Sequence, residues 1–165
     1  PARFQLVAAM NPCPCGYLGD PSGRCRCSAE QIQRYRSKLS GPLLDRIDLH
    51  LHVAREATAL HANPDNGTSS AQAAATVAAA RQRQEQRQGG ANAFLDLQQL
   101  RQHCGLSDDD QHWLESACER LGLSLRAAHR LLKVARTLAD LDAVDAIQRS
   151  HLAEALQYRP SSPTA

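Results

Sequence analysis

Residues 124–141 read SLRAAHRLLKVARTLADL, and the apolar residues in this stretch recur every three or four positions. This spacing is the period of an amphipathic α-helix that packs one face against a core. Ser124 stands where a helix N-cap is expected. The stretch therefore predicts the central helix of an all-helical bundle, with its core face formed by Ala128, Leu131, Leu132, Ala135, Leu138 and Ala139.

Further helices are predicted around this one, each bounded by a capping residue or a glycine. An alanine-rich helix covers about 70–88, and shorter helices run from Asp96 to Cys104, from Ser107 to Leu121 and near 149–158. The apolar face of the helix after Ser107 is expected to be Leu114, Ala117, Cys118 and Leu121. We expect residues 69–158 to form a helical domain, followed by a disordered Pro/Ser tail at 159–165.

The first part of the chain has a different pattern. The apolar run at 3–10 (RFQLVAAM) and the alternating run at 47–53 (IDLHLHV) both indicate strands. Between them, Ser28 and Gln31 form a capping-box pattern that predicts a helix to Leu39, and Gly41-Pro42 begins a short helical hook. Two strands, one helix and a cysteine-rich loop carry too little apolar surface to form a sheet alone. Residues 1–55 are therefore expected to be the end of a larger α/β domain, joined by a linker at 56–68. The expected fold class is mainly α: a helical bundle preceded by a truncated α/β segment.

Composition excludes several classes of protein. The 165 residues carry a net charge of only +2, which argues against a broadly polycationic nucleic-acid coat. No apolar run approaches the roughly 20 residues that span a bilayer, and no signal segment is recognisable. We therefore expect a cytoplasmic protein that does not insert into membranes.

Four of the six cysteines are clustered, as the pattern Cys-Pro-Cys, nine residues, then Cys-Arg-Cys. Four thiolates suffice for a closed, structural zinc site, although a one-residue gap is tighter than the common spacing. Free thiols and disulfides are the alternatives. Cys104 and Cys118 are expected to be small buried hydrophobes. The predicted zinc ligands are Cys13, Cys15, Cys25 and Cys27.

A basic segment follows the cysteines. Arg34, Arg36 and Lys38, with Tyr35 among them, could face DNA phosphates, although a solvated surface is the commoner role of such a run. His50 and His52 are predicted to be surface histidines rather than metal ligands.

Three stretches together resemble the C-terminal part of the magnesium-chelatase-like AAA+ ATPases of the YifB/ComM family. They are FQLVAAMNPCPCGYLGD at 4–20, CRCSAEQIQRYRSKLSGPLLDRIDLHLHV at 25–53 and LSLRAAHRLLKVARTLADL at 123–141. The resemblance implies the end of an ATPase core followed by a helical lid domain. No GxxxxGK[ST] phosphate loop occurs in this chain, so we expect it not to hydrolyse ATP by itself.

The resemblance also implies roles for three residues. Asn11 would be the first-sensor residue, and Arg46 would be an arginine finger acting on the nucleotide of a neighbouring subunit. Arg126 would be the second-sensor arginine, reaching from the lid to the nucleotide. Each has a simpler alternative: a turn at Asn11-Pro12, an ion pair of Arg46 with Asp45 or Asp48, and a solvated helix face at Arg126.

The implied cofactors in the longer protein are ATP and Mg²⁺, besides the zinc. The implied partners are further copies of the same subunit in a ring, expected to be a hexamer, and DNA, which such a motor would process by branch migration during natural transformation. The alternative is a zinc-stabilised DNA-binding or oligomerisation module without motor activity.

Overall fold

The computed structural model describes residues 4–44, 46–53 and 67–159. The chain divides into two compact units, residues 1–46 and residues 47–165. No helix in the described ranges combines the length and the apolar character needed to cross a membrane. The helices are α1 (Ala29–Arg36), α2 (Gly41–Leu44), α3 (Ser70–Gln88), α4 (Leu97–His103), α5 (Asp108–Arg120), α6 (Leu125–Leu141) and α7 (Arg149–Gln157), with a 3-10 turn at Asn92–Phe94.

The capping box predicted at the start of α1 is confirmed. The backbone N–H of Gln31 donates to the Ser28 hydroxyl at 3.2 Å, and the N–H of Ser28 donates to the Gln31 side chain at 2.9 Å. Two unsatisfied donors of the first helical turn are thereby paired within one local motif. The helix ends at Arg36, earlier than predicted, and the short helical hook after Gly41 is present as α2.

The two predicted strands are wrong for this chain. Residues 4–10 and 47–53 have no regular secondary structure, and the described residues contain no β-strand. A strand exists only when a second strand pairs with its N–H and C=O groups, and no described segment supplies that partner. The apolar side chains of both segments are consequently exposed, including Phe4 (77%), Val7 (84%) and Val53 (88%).

Residues 47–53 instead attach to the helical unit through polar contacts. The N–H of His50 donates to the Tyr158 carbonyl at 2.7 Å, and the Asp48 carboxylate pairs with Arg130 at 2.6 Å. The guanidinium of Arg159 donates to the carbonyl of Ile47 at 3.4 Å. These contacts join the segment to α6 and to the end of α7.

Four helices of unit two begin at side-chain caps, of which Asp96, Ser107 and Ser124 are predicted from the sequence. The side chains of Ser69, Asp96, Ser107 and Ser124 each accept a hydrogen bond from a backbone N–H of the following turn. Gly89 ends α3 with a φ of +71°, a left-handed conformation that glycine adopts without steric cost.

The core of unit two is built around α6, as its sequence predicts. Leu131, Ala135 and Ala139 are buried, while Leu132 and Leu138 pack against the same cluster from its edge. The helix contacts α3, α4, α7 and the 3-10 turn. On α5, Leu114 and Ala117 are buried and Cys118 is half-buried, as predicted, but Leu121 is 49% exposed. Cys104 is buried in the same core, as expected.

A charged network crosses this core, and the sequence reading did not find it. Arg136 lies on α6 and is only 2% exposed. Its guanidinium donates to the carbonyls of Val144 and Asp145 and lies 3.1 Å from the carboxylate of Asp140. These acceptors compensate the charge of the guanidinium inside the protein.

Asp140 is the centre of the network. Its two carboxylate oxygens accept from Arg87 at 2.6 and 3.0 Å, and one of them also accepts from Asn92 at 2.8 Å. Arg87 belongs to the last turn of α3 and Asn92 to the 3-10 turn, so one carboxylate ties three elements together. Burial alone raises the pKa of the Asp140 carboxyl, but the hydrogen bonds from Arg87 and Asn92 outweigh it and hold the pKa below 3.8.

Removing this carboxylate should strongly destabilise unit two. We expect Asp140→Ala to lower the free energy of unfolding by about 3–5 kcal/mol, because it leaves the buried guanidinium of Arg136 without its counter-charge. Urea denaturation followed by helical circular dichroism measures the change. Glu119→Ala, at an exposed position on α5, is the control and should change stability by less than about 0.5 kcal/mol. A loss from Asp140→Ala as small as that of the control would contradict the central role of the network.

The same carboxylate predicts a loss of stability in acid. A carboxyl whose pKa is lower in the folded state than its ordinary value, 3.8 here, raises the free energy of unfolding at pH values above 3.8. This contribution is lost as the pH falls through the pKa of the folded state. The difference in unfolding free energy between the wild-type chain and Asp140→Asn should therefore shrink from about pH 5 to about pH 2. A difference that stays constant over this range would show that Asp140 does not titrate with folding.

Candidate functional site

The four clustered cysteines meet in space in the loop before α1. All four sulfur atoms lie within 4.8 Å of one another. Sγ of Cys13 lies 3.3 Å from that of Cys15 and 3.8 Å from that of Cys25, and the sulfurs of Cys15 and Cys25 are 3.6 Å apart. All four thiols are free of disulfide bonds, and Cys13 is fully buried.

This geometry suits one tetrahedral metal ion. Four sulfurs bound at about 2.3 Å to a tetrahedral zinc lie about 3.8 Å apart, close to the separations found here. Four thiolates also form a closed ligand set, which leaves no position for water and is typical of structural sites. In the described parts of the chain, no other group of three or more His, Cys, Asp or Glu side chains is placed to hold a metal.

The loop folds back on itself through tight turns and local polar contacts. Gly16, with a φ of +80°, donates its N–H to the carbonyl of Cys13 at 3.0 Å. Further along, the Asp20 side chain accepts from the N–H of Ser22 at 2.8 Å, and the guanidinium of Arg24 lies 4.4 Å from the centre of the Tyr17 ring. These contacts bring the second cysteine pair back to the first.

One thiol of the cluster is readily ionised. The backbone N–H of Tyr17 and, next, the thiol of Cys13 stabilise the Cys15 thiolate and lower its pKa to about 6. A thiolate is the form that binds a metal, so at neutral pH the cluster already presents a ligand in its reactive state.

The two residues that the resemblance assigns to catalysis both lie in unit one. Asn11 is exposed, and its side chain packs beside Gly16, where a Cβ atom would lie 3.7 Å from the amide. Arg46 is exposed, and its guanidinium donates to the carbonyl of Pro42 at 2.7 Å, which holds the side chain against the end of α2. Of its two predicted alternative partners, Asp45 lies outside the described residues and Asp48 pairs with Arg130.

Arg126 lies in the first turn of α6, in unit two, and is exposed. Two further cations of the same helix, Arg130 and Lys133, are held by contacts with other segments of unit two. Arg130 pairs with Asp48 at 2.6 Å, and the Lys133 ammonium donates to the carbonyl of Ala93 at 3.1 Å. Arg130 and Lys133 therefore have structural roles, and Arg126 is the exposed member at the start of the helix.

The basic residues of α1 lie beside the cysteine cluster. Arg34, Arg36 and Lys38 are all exposed, and Arg34 lies 3.4 Å from Glu30 in an ion pair open to solvent. An open groove of about 560 Å³ separates the cysteine loop from this face of the helix. Its lining residues are Pro14, Cys15, Cys27, Gln31, Arg34, Tyr35 and Lys38.

Comparison with known proteins identifies the family. Residues 1–60 match the model of magnesium chelatase, subunit ChlI, and residues 67–159 match the model of the ChlI C-terminal region. The uncharacterized protein YifB of Escherichia coli is 52% identical over 161 residues, covering 96% of this chain and 31% of YifB. The competence protein ComM of Haemophilus influenzae is 48% identical with the same coverage. The chain belongs to the magnesium-chelatase-like family of YifB and ComM.

The chain spans about a third of the length of these relatives. The first family match contains the cysteine cluster, Asn11 and Arg46, and the second contains α3 to α7 and Arg126. The residues predicted to be functional are thus distributed over both matched regions.

Proposed function

We propose that this chain is the C-terminal part of an AAA+ ATPase and supplies nucleotide-sensing residues and the helical lid to a motor that processes DNA. The observation that carries the proposal is the pair of family matches, which cover residues 1–60 and 67–159. On this proposal residues 1–55 complete an ATPase core and 69–158 form the lid. The relative named competence protein ComM supports natural transformation as the context, in which the proposed DNA processing is branch migration.

Arg46 is proposed to act on the nucleotide of a neighbouring subunit in the ring. A guanidinium stays charged and can place two N–H groups on phosphate oxygens, so it stabilises the charge that develops as the γ-phosphate leaves. The contact with the Pro42 carbonyl uses one Nη atom and fixes the side chain at an exposed turn. The side chain is exposed, as a residue acting across an interface requires.

Asn11 and Arg126 are proposed to act within one subunit. The amide of Asn11 can orient a water molecule by hydrogen bonding without adding charge. Arg126, near the start of α6, can contact the phosphates of ATP held with Mg²⁺ by the rest of the protein, and thereby couple the lid to the nucleotide state. Exposure of both side chains supports these roles.

The four cysteines are proposed to hold a structural zinc ion. Zinc would supply four strong bonds within a loop whose apolar content is small, and Arg24 and Arg26 beside the ligands would offset the negative charge of four thiolates. The sulfur separations support this assignment over four independent thiols. Metal-bound cysteines also fit a reducing, cytoplasmic location.

Loss of Arg46 should abolish ATP turnover in the complete ATPase. We expect Arg46→Ala to lower DNA-stimulated ATP hydrolysis by about 10³-fold or more, and Arg46→Lys to recover little because an ammonium lacks the planar fork. Arg83→Ala, which removes an exposed arginine of α3, is the matched control and should retain wild-type turnover.

A mixing experiment tests whether Arg46 acts between subunits. Rings mixed from Arg46→Ala and Asn11→Ala subunits contain some interfaces with both residues intact, so they should regain activity that neither variant has alone. Unchanged turnover in Arg46→Ala, or no recovery on mixing, would remove the finger assignment. Zinc binding together with such a result would favour a binding or oligomerisation module without motor activity.

The zinc assignment predicts about one zinc ion per chain after purification without added metal. Plasma mass spectrometry measures the metal content. Cys13→Ser should lower it well below one, whereas Cys118→Ser, on α5 and outside the cluster, should not. Intact-mass detection of disulfides among the four clustered cysteines, with no bound metal, would contradict the assignment.

A further inference from the structure

The groove beside the cysteine cluster has a composition suited to one kind of ligand. Gln31, Arg34, Tyr35 and Lys38 recur at intervals of three and four residues, so they form one face of α1 and of the turn that follows it. Two cations therefore flank one aromatic ring. No residue of α1 is fully buried: Arg34 and Lys38 are exposed, and Tyr35 is half-buried.

The surrounding charge favours an anionic occupant. Residues 20–38 contain five arginine or lysine side chains and two acidic side chains, Asp20 and Glu30, which pair with Arg24 and Arg34. A zinc ion with four thiolates carries a net charge of about −2, and the net positive charge of this segment is larger in magnitude. The ion pair of Arg34 with Glu30 is open to water on both sides and restrains the arginine little.

The position of Tyr35 favours unpaired bases. It lies between Arg34 and Lys38 in the lining of the groove, where a base could stack on its ring while neighbouring phosphates meet the two cations. In a duplex, both faces of each base are already stacked, so the ring could not be used in this way.

The opposite wall of the groove belongs to the metal site. Cys15 and Cys27 line the groove and are also members of the four-sulfur cluster, whereas Cys13 and Cys25 belong to the cluster without lining the groove. A metal that fixes the four sulfurs therefore also fixes this wall relative to α1.

We propose that this groove binds single-stranded DNA, with Arg34 and Lys38 on phosphates and Tyr35 against a base, and that a metal at the four cysteines is required to form it. The inference rests on the proposed function, which supplies DNA as the substrate. It goes beyond that function in two ways. It assigns phosphate contacts to Arg34 and Lys38 but not to Arg36, which does not line the groove, and it makes DNA binding depend on the metal.

The test measures binding of the 165-residue chain to a fluorescent oligothymidylate by anisotropy over a series of salt concentrations. Each phosphate contact on a single strand contributes about 0.7 to the slope of log K against log salt, so the Arg34→Ala/Lys38→Ala variant should lower the slope by about 1.4. Arg36→Ala, on the same helix but off the groove, should leave the slope close to that of the wild type. A slope lowered by about 0.7 in Arg36→Ala, the same effect per removed charge as in the double variant, would overturn the groove assignment in favour of diffuse charge.

Variants of Tyr35 test the base contact. Tyr35→Ala should weaken binding about tenfold, while Tyr35→Phe, which keeps the ring, should bind like the wild type. An abasic oligonucleotide and a duplex of the same length should both bind more weakly than the single strand, and neither should respond to Tyr35→Ala. Duplex or abasic binding as tight as that of oligothymidylate would overturn the stacking part of the proposal.

Cys13→Ser tests the metal requirement without removing any residue of the groove. With the metal content lowered, binding should fall at least as far as in the Arg34→Ala/Lys38→Ala variant, and that double variant should itself retain its metal. Unchanged DNA binding in a metal-free Cys13→Ser chain would overturn the requirement. These binding measurements are independent of the ATP turnover of Arg46→Ala. The proposal for the groove can therefore be overturned while the proposal of an ATPase motor stands.

Discussion

The carboxylate of Asp140 is the point at which the helical unit is tied together. It lies within the core, yet it accepts from Arg87 on α3 and Asn92 on the 3-10 turn and faces Arg136 on its own helix. A buried charge of this kind is costly unless every partner is in place. The arrangement therefore favours one relative placement of α3, the 3-10 turn and α6, whereas apolar packing among alanines and leucines could accept several.

The two units obtain their order from different sources. Unit two has an apolar core around Leu131, Ala135 and Leu152. Unit one has Cys13 as its buried apolar residue among those described, and its loop is shaped by glycine turns and converging sulfurs. On the zinc proposal, metal bonds would replace apolar burial in this loop, whose sequence offers few apolar side chains. On the proposals above, this division separates a rigid lid from a metal-stabilised surface that contacts DNA.

Features encoded in short stretches could be predicted from the sequence. Helix starts at Ser28, Ser107 and Ser124 follow from local capping, and the buried face of α6 follows from periodicity. Features that depend on distant partners could not. The alternating pattern at 47–53 indicates a strand but does not show whether a second strand exists to pair with it. Likewise, no residue near Arg136 in the sequence indicates that the carbonyls of residues 144 and 145 accept hydrogen bonds from its guanidinium. The spacing of the four cysteines predicts that their sulfurs come together, but the groove beside them could be identified only from the structure.

The exposed valines and phenylalanine of residues 4–10 and 47–53 have a practical consequence. Relatives in this family are about three times as long, so in those proteins other parts of the chain can cover such surfaces. Handled alone, the 165-residue chain presents adhesive, β-prone segments at Val7 and Val53 to every neighbouring molecule. We therefore expect the isolated chain to self-associate increasingly as its concentration rises, by a route distinct from the proposed ring.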